Sequence, residues 1–328
     1  MFKKLLALSA VTAVLFTGCS AGNTAGAVSQ KPDKLSIVCT LFPEYDWTKE
    51  LLGGQDDNIE LTYLLNSGLE LHTYQPNAQD MITISECDMF VYIGGESESW
   101  VDDALREVTN PDMKVIRLMD IIGNSVKEEE IKEGMEAEAE EEDADSEEET
   151  EYDEHVWLSV RNAGIICKAL CDTLCELQPE QADTYRANLE AYTQKLDALD
   201  KDFADMADSA SVKTVVFGDR FPFRYLVDDY GIDYYAAFVG CSAETEASFE
   251  TITFLAEKLD ELQLDTVFTI ENADNSIANA IISSTENKNQ QIAVLNSMQS
   301  VNADAIAGGA SYLTIMQDNL QVLKEALN

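Results

Sequence analysis

The chain has 328 residues, of which 62 are acidic and 21 basic, so its formal charge is −41; only two residues are histidine. With no basic stripe to neutralise phosphates, nucleic acid and anionic lipid are excluded as principal partners, and cations are the natural ligands of such a surface. Beyond the amino-terminal leader, no apolar stretch approaches the roughly 20 residues needed to cross a bilayer.

The leader opens with Lys3 and Lys4, runs through a mostly apolar segment over 5–16, and ends with Thr17 and Gly18 before Cys19. This is the pattern of a secretory signal over 1–18, and the small residues before a cysteine make Cys19 the expected site of a lipid anchor. Residues 19–33 are rich in Ser, Ala, Gly and Asn, the composition of a flexible tether. The rest of the chain is long enough for two domains.

From residue 35 onward, short β-branched runs at 35–41, 59–65, 89–93 and 114–119 alternate with stretches of helical composition. Such a βαβ series predicts a parallel sheet covered by helices, an amino-terminal α/β lobe over 34–178. Between Glu128 and Glu154, seventeen carboxylates face one lysine, Lys132, so this segment carries −16 of the net charge. Low hydrophobicity and one-signed charge predict a disordered acidic loop over 125–152, which either gathers cations weakly through hard oxygen donors or simply solvates the surface. An amphipathic helix is predicted over 160–177. Residues 180–207 contain no Gly or Pro and place Tyr185, Leu189, Tyr192, Leu196, Leu199 and Phe203 three or four apart. That periodicity predicts one rigid linking helix of about 40 Å within 179–210. A second βα series, with strands near 213–217, 232–239, 265–271 and 291–296 and a last helix over 311–327, predicts a carboxy-terminal α/β lobe over 211–328.

The chemistry concentrates in two loops. His72 lies in Gly68-Leu-Glu-Leu-His-Thr-Tyr-Gln-Pro and His155 in Asp153-Glu-His-Val-Trp-Leu, each before a predicted helix. Loops of this kind, at the carboxyl ends of parallel strands, are where open α/β sheets bind ligands. Imidazole suits zinc, copper, nickel and iron, and neighbouring carboxylates can orient the ring or complete the shell. Cys39, Cys87, Cys167, Cys171, Cys175 and Cys241 form no C-x-x-C pair, and the four-residue spacing of the middle three stacks them on one helix face, so all six read as core packing. No nucleophile with its base, phosphate loop or cofactor fingerprint is evident, and no catalysis is expected.

These segments resemble the metal-binding lipoproteins of ABC importers for zinc and manganese, the cluster A-I solute-binding proteins. The likeness rests on Lys34-Leu-Ser-Ile-Val-Cys-Thr-Leu-Phe-Pro-Glu-Tyr-Asp, on His72-x-Tyr-x-Pro76 and on Asp153-x-His-x-Trp-Leu, with further similar segments at 223–232, 243–248 and 311–327. The resemblance implies a metal site in the cleft between the lobes, with His72 and His155 as ligands. The family's third ligand falls, without a gap, on Arg220, which stays protonated and cannot ligate. Asp219, one residue away, is therefore expected as third ligand, the alternative being that it pairs with Arg220. Glu70 and Glu271 are spare carboxylates near the expected cleft and either could close the shell; Glu271 is taken with the expected ligands, an open or water-filled fourth position being equally acceptable to zinc. Leu295-Asn296-Ser297 replaces the aspartate of manganese-type members and favours the zinc type.

The resemblance thus implies a monomeric receptor, lipid-anchored on the outer face of the cell membrane, that passes zinc to the permease of an ABC importer. A manganese or iron receptor of the same family, or a surface adhesin, are the alternatives.

Overall fold

The computed structural model describes residues 34–54, 58–136, 151–242 and 246–328. The expected signal, the tether with Cys19, and residues 137–150 of the acidic loop lie outside the described residues.

The amino-terminal lobe alternates β1 (Leu35–Cys39), α1 (Phe42–Leu52), β2 (Ile59–Tyr63), α2 (Ala78–Glu86), β3 (Met89–Tyr92), α3 (Val101–Arg106), β4 (Lys114–Arg117) and α4 (Leu118–Ile122). Its four strands are parallel in the order β2-β1-β3-β4. Next come α5 (Val160–Leu177), whose first turn is capped by the Ser159 hydroxyl, and α6 (Ala182–Ser209), 28 residues without an internal Gly or Pro. The carboxy-terminal lobe repeats the plan with β5 (Thr214–Phe221), α7 (Arg224–Tyr230), β6 (Asp233–Val239), α8 (Phe249–Leu262), β7 (Thr266–Ile270), α9 (Ser276–Ser284), β8 (Gln291–Leu295), α10 (Ala303–Ala307) and α11 (Tyr312–Ala326). Its strands, also parallel, run in the order β6-β5-β7-β8. The molecule is therefore two parallel-sheet lobes joined by one long helix.

That helix does more than span a gap. Tyr185, Tyr192, Leu196, Leu199, Phe203 and Met206 of α6 are buried, and they belong to one apolar cluster that takes in Trp47 of α1, Cys167 of α5, Tyr230 of α7 and Tyr312 of α11. A smaller core behind the second sheet gathers Val216, Phe238, Leu255, Val267 and Ile281.

Two segments depart from the sequence reading. First, β5 runs four residues past the expected end at 217 and carries a register shift between Phe217 and Arg220. Gly218 sits within the irregularity, where a Cβ would come 2.7 Å from the Ala278 Cα, so only glycine lets β5 pass α9 this closely. Second, the flanks of the acidic run are ordered. Glu128 bridges Tyr152, the Glu129 N–H donates to the Glu151 carbonyl at 2.9 Å, and the Glu136 N–H donates to Ala237 at 2.9 Å on the outer edge of β6. Arg224 pairs with Glu130 at 2.9 Å, Lys132 pairs with Asp233 and lies 4.1 Å from the Tyr234 ring centroid. Local charge neutralisation and a free sheet edge thus order residues whose composition alone speaks for disorder.

Candidate metal centre

The carboxyl ends of both sheets face each other, and the side chains that could hold a metal sit there. His72 lies on a single helical turn, Leu71–Thr73, that follows β2. Ser97 lies on the turn Glu96–Glu98 after β3, and Cys241 comes two residues after β6. His155 and Glu154 enter from the loop before α5. That loop is anchored on all sides: the Tyr225 hydroxyl donates to the Asp153 carbonyl at 2.8 Å, Trp157 Nε1 donates to the Ser297 carbonyl at 2.8 Å, and the Tyr312 hydroxyl donates to the Trp157 carbonyl at 2.9 Å.

His72, Glu154, His155 and Cys241 each offer a ligand atom, and these atoms all lie within 4.8 Å of one another; no other such group occurs among the described residues. A tetrahedral shell with bonds of about 2.0–2.3 Å has ligand–ligand edges of about 3.3–3.8 Å, so a contraction of roughly an ångström would close the group around an ion. The imidazole rings stand 5.6 Å apart between centroids.

The hydrogen-bond network sets the tautomers. Asp153 Oδ1 accepts from the His155 backbone N–H at 2.8 Å and faces His155 Nδ1 at 2.9 Å, so Nδ1 carries a proton and Nε2 is the nitrogen left for a ligand. The Ser97 hydroxyl donates to Glu154, which leaves its oxygen to accept from His72 Nδ1 at 3.2 Å. Nε2 of both rings is buried without a hydrogen-bond partner, an arrangement that costs free energy unless an ion arrives.

Electrostatics sort the two rings. Burial, then His155, then Arg220 lower the His72 pKa to about 3, keeping it neutral and able to ligate. Burial would also lower His155, but Asp153, Glu154 and Glu129 outweigh it and carry its pKa above the ordinary value. Glu154 is pushed up chiefly by burial, and so is the Cys241 thiol, which also faces Glu154, Glu129 and Asp153.

Asp219 and Glu271 stand outside this group. They line an adjoining cleft of roughly 630 Å³ together with Glu70, Arg220 and Gln299. The Asp219 carboxylate accepts from the backbone N–H groups of Arg220 at 2.8 Å and Ile270 at 3.3 Å. Glu271 accepts from the Ser297 N–H at 2.7 Å, the Ser297 hydroxyl at 2.8 Å and the Gln299 N–H at 3.3 Å. Arg220 instead reaches across to Glu70 at 3.4 Å, and Glu70 lies 3.6 Å from His72 Nδ1. The sequence reading did not single out Glu154, lost among sixteen other carboxylates, or Cys241. The signal for Cys241 was its place directly after a parallel strand, the topological position that had marked His72.

Two parallel-sheet lobes thus bring a nitrogen, oxygen and sulfur donor cluster together at their strand ends, a candidate metal site. The chain belongs to the family described as zinc-uptake complex component A, periplasmic, which matches residues 37–326. It is 30% identical over 330 residues to the high-affinity zinc uptake system protein ZnuA of Bacillus subtilis, covering 100% of this chain and 99% of that protein. It is also 30% identical over 325 residues to the zinc-binding lipoprotein AdcA of Streptococcus pneumoniae, covering 99% of this chain but only 61% of AdcA, so the chain spans about three fifths of that relative's length. The solved structure of the Zn(II)-bound ZnuA-like domain of S. pneumoniae AdcA superposes with a TM-score of 0.69 at 28% identity, over 90% of this chain and 99% of that domain.

Proposed function

We propose that this chain captures zinc through His72, His155 and Glu154 and delivers it to the permease of an ABC importer, acting as a monomer held to the outer face of the cell membrane by a lipid on Cys19, without catalysing a reaction. The observation that carries this reading is the gathering of ligand atoms from His72, His155 and Glu154 within 4.8 Å of one another, with Nε2 of both rings buried and without a hydrogen-bond partner. Imidazole with one carboxylate is a zinc donor set, whereas manganese favours sites richer in oxygen. The zinc-binding names of the relatives and the leader ending at Cys19 support the cargo and the anchor. Among the described residues, no helix is long and apolar enough to cross a membrane. Metal analysis after chelation and reloading tests the reading: one tight, reversible zinc per chain is expected, and a chain that retains none speaks for an adhesin instead.

In this reading Asp219 and Glu271 shape the cleft without ligating. Asp219→Asn is expected to change zinc affinity by less than about threefold while lowering stability by about 1–2 kcal/mol, because an amide cannot accept both backbone N–H groups that the carboxylate holds. Isothermal titration and denaturant unfolding read the two effects separately; a large drop in affinity returns Asp219 to the shell.

The acidic run divides by function. Deleting 137–150 is expected to leave tight zinc binding within about threefold and to remove only weak, salt-sensitive cation binding. Glu129→Ala, in contrast, is expected to weaken the tight site, because Glu129 Oε1 accepts from the Cys241 N–H at 3.4 Å and its charge reaches His155. Titrations at low and high salt distinguish the two variants.

A further inference from the structure

The geometry points to Cys241 as a thiolate ligand of the metal and as the residue that sets selectivity for zinc over hard divalent ions. This rests on the zinc-capture reading above and goes beyond it, since that reading needs only the imidazoles and Glu154.

The backbone delivers this sulfur to the site. The last residues of β6, Phe238 and Val239, pair with Arg220 and Phe221 of β5 beyond the β5 irregularity. Gly240 then passes flat against the His155 ring: a Cβ there would stand 2.9 Å from His155 Cε1 and 3.0 Å from the Phe221 carbonyl oxygen. With the strand end seated on one ligand ring, the next side chain falls into the donor group. The Cys241 backbone N–H is held by Glu129 at 3.4 Å, and the Glu154 backbone N–H donates to the sulfur.

A second observation stands apart from the cysteine. His155 is fully buried, and its Nε2 has no partner although the ring is fixed through Nδ1. Cys241 is the fourth member of the donor group to which His155 belongs. None of Cys39, Cys87, Cys167, Cys171 and Cys175 enters the group. The guanidinium of Arg220 is engaged by Glu70, and the Asp219 and Glu271 carboxylates are held by backbone donors.

The chemistry follows from the donors. Two neutral imidazoles, one carboxylate and one thiolate make a four-coordinate shell whose two negative charges match a dication. A soft thiolate in a tetrahedral frame suits zinc and disfavours manganese, magnesium and calcium, which prefer six or more oxygen donors. Cobalt(II) is the probe, because thiolate bound to it gives a near-ultraviolet charge-transfer band and tetrahedral geometry gives strong visible absorption.

The full mature chain loaded with cobalt(II) is expected to show both features. Cys241→Ser should keep the visible absorption in weakened form and lose the near-ultraviolet band. Its zinc affinity should fall at least about 100-fold, beyond the effect typical of residues behind the ligands, while manganese affinity moves by less than about threefold. Should the serine variant fold poorly by circular dichroism, alkylation of the parent followed by peptide mapping decides the matter, since bound zinc should protect Cys241 and leave Cys175 unprotected. Absence of the charge-transfer band in a parent chain that binds one zinc, an unchanged zinc-to-manganese ratio in the variant, or alkylation of Cys241 at full rate with zinc bound each overturns the assignment while leaving zinc capture intact. A parent chain that binds no metal overturns both.

Discussion

His72→Ala and His155→Ala are each expected to lower zinc affinity by at least about 100-fold, roughly 2.8 kcal/mol, but with opposite consequences for the fold. His72 sits at the rim on a single helical turn, and its ring bonds only to Ser97. Its removal should leave the unfolding midpoint of the metal-free protein nearly unchanged. His155 is fully buried, packs 5.2 Å from the Trp157 ring and is hydrogen-bonded through Nδ1 to Asp153. Alanine there leaves the Asp153 carboxylate short of a partner and opens space beside Trp157, a loss of about 2–4 kcal/mol in the metal-free state. Titration calorimetry on chelator-stripped protein and denaturant unfolding measure the two quantities independently. Unchanged zinc affinity in either variant would remove that histidine from the site.

Metal-free protein is expected to lose stability between about pH 4.5 and 7, and Glu98→Gln should flatten that loss. Glu44 and Glu98 are buried carboxylates bridged by one hydroxyl, since Thr40 Oγ1 lies within hydrogen-bond reach of both. Burial, only partly offset by hydrogen bonds from Thr40, Gly94 and Ile93, raises the Glu98 pKa to about 7, and burial together with Glu98 raises Glu44 as well. A carboxyl whose folded pKa exceeds its unfolded value binds its proton more tightly in the native state. Its contribution is complete below the unfolded pKa and is lost as pH rises through the folded one. For Glu98 that loss is on the order of 3 kcal/mol. Glutamine keeps an acceptor for the Ile93 and Gly94 N–H groups, which Glu98 Oε2 accepts at 2.7 and 2.8 Å, and offers a donor to Thr40. Asp46, raised to about 6, and Glu129, raised to about 7, titrate in the same window, so the variant's profile should flatten without becoming level. A slope identical to the parent's would mean that Glu98 is already ionised in the native state.

The repeating layout was legible because its signals are local. Runs such as Leu35–Cys39 and Met89–Tyr92 are β-branched and apolar, and the three-and-four spacing of α6 admits hardly any other structure. The overshoot of β5 was not legible, because the reason for Gly218 is the approach of α9, some sixty residues later in the chain. The acidic flanks were read from composition, whereas Lys127, Lys132 and Arg224 and the open edge of β6 decide their conformation. At the centre, the histidines stood out by scarcity and by motif. Glu154 and Cys241 could not, since a carboxylate in an acidic run and a lone cysteine after a strand acquire meaning only when two lobes bring them together.

The apolar cluster that wraps α6 has a kinetic corollary. Because Trp47, Tyr192, Tyr230 and Tyr312 pack as one continuous core with that helix, prying the lobes apart would expose apolar surface along its whole length. The cheaper route for an ion to leave is local: the single turn carrying His72 and the short segment of Gly240 and Cys241 after β6 can open at less cost than global unfolding. Residence time should therefore be governed by the compliance of two short loops, and a membrane partner that tugs on either of them could hasten discharge without bending the body of the receptor.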